Sequence, residues 1–249
     1  MKLSKSKFSL YGSLQSAKMR RRNGLFTVEG MKSVRDTIDA FEPVAVIALA
    51  GAETGFAEGK TPVYEVTSEE MSKLTSLTTP SEIMAVYKLP QRGDSDLKVG
   101  DGLYVVLDGV RDPGNLGTIV RTCHWFGVYQ IFASPDTVDI FNPKCVQSTM
   151  GSLAKVRVDY CNLQQLFDAN PDMPVYGTLL EGDNIFRAEL KPRGFVVMGN
   201  EGQGLSSEVR ARIDRPLFIP PANPDNHSES LNVAIATAIV LAQIRMKKM

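Results

Sequence analysis

Arg121 lies in the stretch from Leu107 to Val128, at a position where its side chain could take part in chemistry. An apolar, β-forming run ends at Leu107, turn residues follow it, and a helix is predicted after the turn. One face of this helix, at spacing i, i+3, i+4 and i+7, holds Thr118, Arg121, Thr122 and Trp125. On spacing alone, this face favours an amphipathic helix with a solvated arginine. The alternative is a functional Arg121, with Asn115 at the turn before it.

A second stretch, Phe195–Ser206, ends a predicted buried strand in a glycine-rich loop. Gly199, Gly202 and Gly204 permit positive φ and a close approach of backbone to a ligand. Glu201 lies among them. Neither GxxxxGK[ST] nor GxGxxG is present, so the usual nucleotide-binding motifs do not explain the loop. A tight turn without a ligand is the alternative.

A third stretch is the polar loop from Pro221 to Ser228, which leads to Ser230 and Asn232. Both residues lie at a predicted helix start, where backbone N–H groups have no partner within the helix. Either side chain could therefore serve as an N-cap, which is the structural alternative to a functional role. His227 in the loop is predicted to be solvated rather than an acid–base group.

Strands and helices alternate from Gly102 onward. The predicted strands are Leu103–Leu107, Gln130–Ala133, Val156–Val158, Val175–Thr178, Phe195–Met198 and Leu217–Ile219. Helices are predicted after Asn115, Asn142, Asn162, Ser206 and Ser230. This alternation predicts an α/β fold with βαβ units and a mostly parallel sheet. The three stretches described above, which we call the chemical stretches, each follow a predicted strand. They are therefore expected at the edge where parallel sheets bind ligands.

The residues before the alternating region predict a separate, smaller α/β unit. A linker is predicted at about residues 90–100, where the chain becomes polar and rich in turn residues. The predicted domains are therefore residues 1–96 and 97–249, each of ordinary domain size.

The charge of the chain is unevenly distributed, although its 249 residues have a formal net charge of zero. The first 35 residues carry nine cations against Glu29 alone, an excess of eight. The densest part of this run consists of Lys18, Arg20, Arg21 and Arg22. A basic segment of this kind is expected of a nucleic-acid-binding protein, and a merely solubilising N-terminus is the alternative.

Cysteine and histidine usage argues against structural disulfides and metal sites. The three cysteines are odd in number and no two have CxxC spacing, which favours a reducing, cytoplasmic location. His124 and His227 are the only histidines, so no multi-histidine metal site is expected. No signal peptide or membrane-spanning segment is predicted.

The last predicted helix, from Val233 to Ile244, is apolar on almost every side. Such a helix must be covered on both faces. The sequence therefore suggests a homodimer, with a large single core as the alternative.

Together the three stretches resemble motifs one, two and three of the SpoU-type (TrmH-type) RNA ribose 2′-O-methyltransferases of the SPOUT superfamily. The matching sequences are DPGNLGTIVRT, VMGNEGQGLS and IP…ESLNVAIA, in the order and spacing of the family. Residues 142–151 resemble the segment between motifs one and two. Less specifically, FTVEG and LTTPSEIMAV resemble the RNA-binding domain, similar to a ribosomal-protein fold, that many members carry.

The resemblance implies a deep trefoil knot in the C-terminal domain, where the alternation alone suggests an ordinary doubly wound sheet. It also implies a homodimer whose protomers share the active site, and S-adenosylmethionine as cofactor. Positions matching cofactor contacts are Thr178, Gly199, Asn200, Ile219 and Leu231. Positions matching catalytic residues are Asn115, Arg121, Glu201, Ser230 and Asn232.

The implied activity is transfer of a methyl group to a ribose 2′-hydroxyl in structured RNA, with ribosomal RNA favoured over transfer RNA and no metal required. Arg121 is either the base or an electrostatic stabiliser of the developing alkoxide, with Asn115 and Glu201 able to orient it. Two rivals are an inactive RNA-binding protein of the same fold and a nicotinamide-dependent oxidoreductase. The intact motif residues argue against the first, and the missing GxGxxG argues against the second.

Two features depart from the family pattern. The Pro221–Ser228 loop is longer than usual and lacks the typical glycine, which predicts altered cofactor contacts. Gln147 stands where many members have arginine, a change that would weaken a phosphate contact.

Overall fold

Two separate sheets organise the chain, a mixed sheet of four strands and a parallel sheet of six. The computed structural model describes residues 1–91, 97–223, 225 and 228–246. They fall into one unit of Met1–Arg92 with Asp139–Lys155, and another of Gly93–Val138 with Val156–Met249. Part of the predicted linker, residues 92–96, lies outside the described residues, as do Pro224, Asn226 and His227. The domain boundary between residues 96 and 97 stays a prediction.

The first unit surrounds the mixed sheet. Its elements are α1 (Lys5–Ser13), α2 (Ala17–Asn23), β1 (Leu25–Glu29), α3 (Met31–Thr37), β2 (Pro43–Leu49), a 3-10 turn (Gly55–Ala57), β3 (Val63–Val66), α4 (Ser68–Leu74) and β4 (Ile83–Lys88). The strand order is β1-β4-β2-β3. β4 runs antiparallel to β1 and β2, and β3 runs parallel to β2. Leu14, Ile47 and Met71, all fully buried, contribute to a core between α1, α4 and the sheet.

The first unit also takes in a later segment, Asp139–Lys155, which the sequence did not predict. This segment contains α6 (Pro143–Thr149) and a 3-10 turn (Ser152–Ala154). The ring of Phe141 lies 4.5 Å from that of Phe26 on β1, measured between centroids. A Cβ at Gly151 would come within 2.3 Å of the Asp36 carboxylate, so the segment fits closely only with glycine there. Part of the chain between motifs one and two is thus structurally part of the N-terminal unit.

The second unit contains the parallel sheet. Its elements are β5 (Leu103–Leu107), α5 (Pro113–Trp125), β6 (Gln130–Ala133), β7 (Arg157–Tyr160), α7 (Leu163–Asp168), β8 (Val175–Asn184), β9 (Gly194–Met198), α8 (Ser207–Arg210), β10 (Arg215–Phe218) and α9 (Val233–Met246). The strand order is β10-β8-β9-β5-β6-β7, and each neighbouring pair is parallel. The predicted α/β class and parallel sheet are confirmed.

The strand register brings the ends of three strands together. Leu107 at the end of β5 pairs with Met198 of β9 and with Ala133 of β6. The residues that follow these strands therefore start from one edge of the sheet, as the position of the motifs predicted. Fully buried Val106, Phe132 and Phe195 contribute to the core beneath that edge.

Helices α5 and α9 lie side by side in parallel. Asn115 in the first turn of α5 contacts Asn232, which precedes α9. At the other end, the guanidinium of Arg245 donates to the carbonyl oxygens of Phe126 (2.9 Å) and Gly127 (3.0 Å). These bonds satisfy the carbonyl groups of the two residues that follow α5.

One face of the predicted apolar helix, α9, is covered within the chain. Val240, Leu241 and Ile244 are fully buried, whereas Ile235 is 52% and Met246 70% exposed. Within the described part of the chain, no helix is both long and apolar enough to span a membrane.

Several element boundaries differ from the predicted ones. α5 begins at Pro113, with Asp112 as its N-cap, so Asn115 lies inside the helix rather than before it. α4 is capped by Thr67, which forms a reciprocal capping box with Glu70. β8 continues to Asn184, and its last two residues pair with Leu217 and Phe218 of β10 after a break in register between Pro216 and Leu217. The helices predicted after Asn142, Asn162 and Ser206 are present, and each of these three residues caps its helix.

Candidate active site

The carboxyl edge of the parallel sheet brings Asn115 and Glu201 together. Pro113 occupies the first turn of α5, where its missing N–H costs nothing. The Asp112 carboxylate accepts a hydrogen bond from the Asn115 backbone N–H at 2.8 Å. This cap holds Asn115 in the first turn, and its side-chain Nδ2 donates to the Glu201 carboxylate at 2.9 Å.

The Glu201 carboxylate also faces the backbone before α5. The N–H groups of Arg111 and Asp112 each lie 3.4 Å from one of its oxygens. Glu201 therefore sits against the N-terminal end of α5, where a negative charge is favoured. All these contacts are solvent-exposed, so the site is open on this side.

Asn232 extends the contact to a third stretch of sequence. Its Nδ2 donates to Asn115 Oδ1 at 2.9 Å. Its own Oδ1 accepts from the backbone N–H groups of Ala234 (2.9 Å) and Ile235 (3.3 Å), which makes Asn232 the cap of α9. The sequence left capping and a role in the site as alternatives for this residue. In the structure, the Asn232 side chain both caps α9 and contacts Asn115.

Ser230 lies beside this network without joining it. Its carbonyl oxygen accepts from the Ser228 hydroxyl at 3.3 Å, and its side chain is exposed. α9 begins at Val233, three residues later, so Ser230 does not cap the helix.

Arg121 is exposed on α5, and within the described residues it has no hydrogen-bond or ion-pair partner. Six residues separate it from Asn115, which puts the two side chains roughly a third of a turn apart around the helix. Asn115 and Glu201 therefore do not orient it through a direct contact. Trp125, one turn further along the same face, is 85% exposed.

The glycine-rich loop after β9 is a closed turn. A Cβ at Gly199 would lie 2.5 Å from the carbonyl carbon of Gly204, so the two backbones touch. The backbones of Asn200 and Gly204 exchange hydrogen bonds of 2.9 and 3.0 Å. This close approach joins two parts of the loop itself, and the approach to a ligand predicted for these glycines stays a prediction.

The remaining predicted cofactor positions border the same edge. Thr178 lies within β8, and its hydroxyl donates to the Val197 carbonyl of β9 at 3.3 Å. Ile219 follows β10 directly and is half-buried. Leu231 precedes α9 and is 46% exposed. Thr178 thus lies within β8 just past its pairing with β9, Ile219 directly follows β10, and Leu231 lies two residues before α9.

Two polar residues support this edge that the sequence patterns did not single out. Asp108, almost fully buried directly after β5, accepts from the Ser206 backbone N–H at 2.7 Å. The Ser134 hydroxyl accepts from the Gly109 N–H at 2.9 Å. Their position immediately after buried strands is the one signal that could have identified them.

The four predicted RNA-binding cations, which belong to the first unit, divide into two groups. Lys18, Arg21 and Arg22 are exposed. Arg20 is 2% exposed, and its guanidinium pairs with Asp139 at 2.8 Å and donates to the carbonyl oxygen of Gln15 at 2.9 Å. Because Arg20 is buried and paired, it stabilises the first unit and is not available at the surface to bind phosphate.

Burial also removes the thiols of Cys123 and Cys161 from chemistry near neutral pH. It raises the pKa of the Cys123 thiol, on the buried face of α5, and that of Cys161 to about 11. None of the three cysteines forms a disulfide within the described residues. The described residues contain no group of acidic, histidine or cysteine side chains arranged to hold a metal ion.

Comparison with known families gives two matches. Residues 102–242 match the profile of the SpoU rRNA Methylase family, and residues 10–85 match the MRM3-like substrate binding domain. The first match contains all three chemical stretches.

Individual proteins are similar along nearly the whole chain. A 23S rRNA (guanosine(2553)-2′-O)-methyltransferase, RlmP from Bacillus subtilis, is 29% identical over 238 residues, which cover 93% of each chain. A structure from Porphyromonas gingivalis, assigned to the TrmH family of RNA methyltransferases, is 34% identical with a TM-score of 0.87 and covers 99% of this chain and 100% of that one. An AdoMet-bound rRNA methyltransferase from Sinorhizobium meliloti is 28% identical, also with a TM-score of 0.87, and covers 100% of this chain and 97% of that one.

Proposed function

Because the chain belongs to the SpoU rRNA methylase family, we propose that it transfers a methyl group from S-adenosylmethionine to a ribose 2′-hydroxyl of ribosomal RNA. The observation that carries this proposal is the hydrogen-bonded row Glu201–Asn115–Asn232. These residues come from the three separate motif stretches, and they meet at the ligand-binding edge of a parallel sheet. RlmP, similar over nearly the whole chain, is named for this reaction on 23S rRNA.

The residues around the edge suit the proposed cofactor. Gly199 has no side chain that would cover its backbone. Apolar surface comes from Ile219 and Leu231, and a hydroxyl comes from Thr178. An adenine ring with polar edges and a charged amino-acid tail needs this mixture of surfaces. When bound, S-adenosylmethionine supplies a methyl group on a sulfonium, which is electrophilic enough to need no metal ion.

The chain's own residues would position the ribose and its proton. The 2′-hydroxyl oxygen must lie in line with the methyl carbon, and such positioning supplies much of the acceleration. A guanidinium is a poor proton acceptor, so Arg121 would stabilise the developing alkoxide or a neighbouring phosphate, and the 2′-hydroxyl proton would pass to water on the open side of the site next to Glu201. Asn115 and Asn232 would hold the substrate, with Glu201 fixing the orientation of the Asn115 amide, and Ser230 would bind from the adjacent loop.

A homodimer with a shared active site is part of the proposal. Trp125, Ile235 and Met246 expose apolar surface on the paired helices α5 and α9, and Arg121 lies on the face that carries Trp125. Covering this surface with a second copy would exclude water from it and place Arg121 against the partner. We also propose that the chain between β9 and α9 forms the family's trefoil knot.

The N-terminal unit would select the RNA. Lys18, Arg21 and Arg22 offer three neighbouring surface cations, which suit a phosphate backbone. The match to a substrate-binding domain over residues 10–85 supports the same role. With RNA as substrate, the cytoplasm is the proposed location.

The test is transfer of labelled methyl from S-adenosylmethionine into total RNA, with ribosomal and transfer RNA separated before nucleoside analysis. We expect the label on a ribose 2′-oxygen in ribosomal RNA. Label on transfer RNA would overturn the substrate, and label on a base would overturn the reaction. RNA binding without transfer, on mature RNA and on ribosomal precursors, would instead identify an RNA-binding protein without activity.

A further inference from the structure

The family resemblance places Asn200 among the cofactor contacts. In the structure, its side chain makes hydrogen bonds to the protein's own backbone. Its Oδ1 accepts from the backbone N–H groups of Gly202 (2.9 Å) and Gln203 (3.0 Å). Its Nδ2 donates to the carbonyl oxygen of Gly109 at 2.6 Å. An asparagine side chain offers two donors and two acceptor lone pairs, so three of its four hydrogen bonds are made within the protein.

These three bonds join two segments that are far apart in sequence. Two of them close the Gly199–Gly204 loop, and the third ties that loop to Gly109, 91 residues earlier. Gly109 is itself held in place, because its φ is +71° and a Cβ there would lie 3.0 Å from the Asp136 carboxylate. The Asn200 amide therefore connects two constrained pieces of backbone.

Both segments lead directly to the Glu201 contacts. Glu201 is the next residue after Asn200, and its partners Arg111, Asp112 and Asn115 follow shortly after Gly109. The distance between the loop and the start of α5 thus depends on the Asn200 amide. A shift of about 1 Å at such a point can cost on the order of a hundredfold in rate.

We infer that Asn200 is a positioning residue: its amide clamps the glycine-rich loop to Gly109 and so sets Glu201 against Asn115. This inference rests on the proposed function, since it assigns a role in the same reaction. It predicts an effect on turnover rather than on cofactor binding alone.

The experiment compares Asn200→Ala and Asn200→Asp with Gln203→Ala, whose side chain is exposed on the same loop. With ribosomal RNA at saturating S-adenosylmethionine, we expect kcat to fall at least about tenfold in both Asn200 variants and to stay within about twofold in Gln203→Ala. Asn200→Ala combined with Glu201→Gln should lose no more than the worse single variant, because both act through one contact.

The aspartate variant gives a signature that misfolding would not produce. A protonated carboxyl can donate to the Gly109 oxygen as the amide does, whereas a carboxylate cannot. Activity of Asn200→Asp relative to wild type should therefore rise as the pH falls from about 8 to about 5.5, toward the ordinary aspartate range near 4.

Two results would overturn the inference. One is a raised cofactor Kd with kcat restored at saturation, which would make Asn200 a cofactor ligand. The other is full activity in both variants with an active wild type. Failure of wild type to methylate RNA would refute the proposed function instead, so the two failures are distinguishable.

Discussion

Asn232 donates to Asn115 across 117 residues of sequence, through a single hydrogen bond of 2.9 Å. Because the Asn232 oxygen is occupied by the N–H groups of α9, only its amide nitrogen can face Asn115. The Asn115 amide is oriented in turn, with its oxygen toward Asn232 and its nitrogen toward Glu201. The start of α9 thus helps set which polar atoms the site presents.

Substitution of Asn232 should separate capping from activity. Asn232→Asp keeps an acceptor for the α9 N–H groups but cannot donate to Asn115. We expect its melting temperature to stay within about 2 °C of wild type and methyl transfer to fall roughly tenfold or more, because the hydrogen bond that orients the Asn115 amide is lost. Asn232→Ala should lose activity and, with the cap, about 1 kcal/mol of stability. Full activity of the aspartate variant would contradict the proposed role.

Removing the charge of Glu201 should slow transfer without unfolding the protein. Glu201→Gln replaces a charge-assisted hydrogen bond, worth about 1.5–3 kcal/mol, by a weaker one. The expected loss in kcat is roughly 10- to 100-fold. Glu208→Gln, an exposed carboxylate on α8, is the matched control and should behave as wild type. Equal rates for the two variants would exclude Glu201 from the mechanism.

Arg121→Ala should abolish transfer while leaving S-adenosylmethionine binding nearly intact. The side chain is exposed and has no partner among the described residues, so its removal should not change stability by more than about 0.5 kcal/mol. Calorimetric titration of the cofactor, alongside the transfer assay, measures both effects. Loss of cofactor binding together with activity would make Arg121 structural, and unchanged transfer would remove it from the site.

Arg20 and Arg21 are neighbours in sequence that should respond in opposite ways. Arg20→Met breaks an ion pair that is buried on the arginine side, and we expect a loss of roughly 3 kcal/mol in the free energy of unfolding. Arg21→Ala should leave stability unchanged but weaken RNA binding and reduce its dependence on salt by about one phosphate contact. Denaturant unfolding and filter binding at several salt concentrations distinguish them.

A double-mutant cycle tests whether the loss of stability in Arg20→Met comes from the ion pair with Asp139. Asp139→Asn should destabilise by a comparable amount, and the double variant should lose less than the sum of the two. Additive losses would show that the pair does not interact in solution.

Gly199 and Gly202 provide a test of the loop. A Cβ at Gly199 would lie 2.5 Å from the Gly204 backbone, whereas one at Gly202 would meet only the Asn200 side-chain oxygen, at 3.7 Å. Gly199→Ala should therefore open the loop and lose cofactor binding and transfer, while Gly202→Ala should retain both within about twofold. A tolerated alanine at position 199 would show that the loop does not depend on this close approach.

Local sequence patterns identified most elements of the second unit, which contains the parallel sheet. The limits predicted for β5 and β6 are those observed, and helices follow Asn142, Asn162 and Ser206 as predicted. Such features depend on residues within one or two turns of each other, so they can be read from neighbouring positions. Where two neighbours compete for one role, as Thr67 and Ser68 do, hydrogen bonding in the folded chain decides.

The sequence by itself determined that the three motif stretches follow strands of one parallel sheet, because strand alternation and motif resemblance can be recognised from the order of residues alone. Only the tertiary structure decided how they pair: Glu201 binds Asn115 rather than Arg121, and Asn200 binds Gly109. It also decided that Arg20 is buried while Arg21 is exposed, since a shift of one residue turns a side chain by about 100° around a helix. Such pairings depend on distances between segments that are far apart in the chain, and residue spacing does not encode those distances.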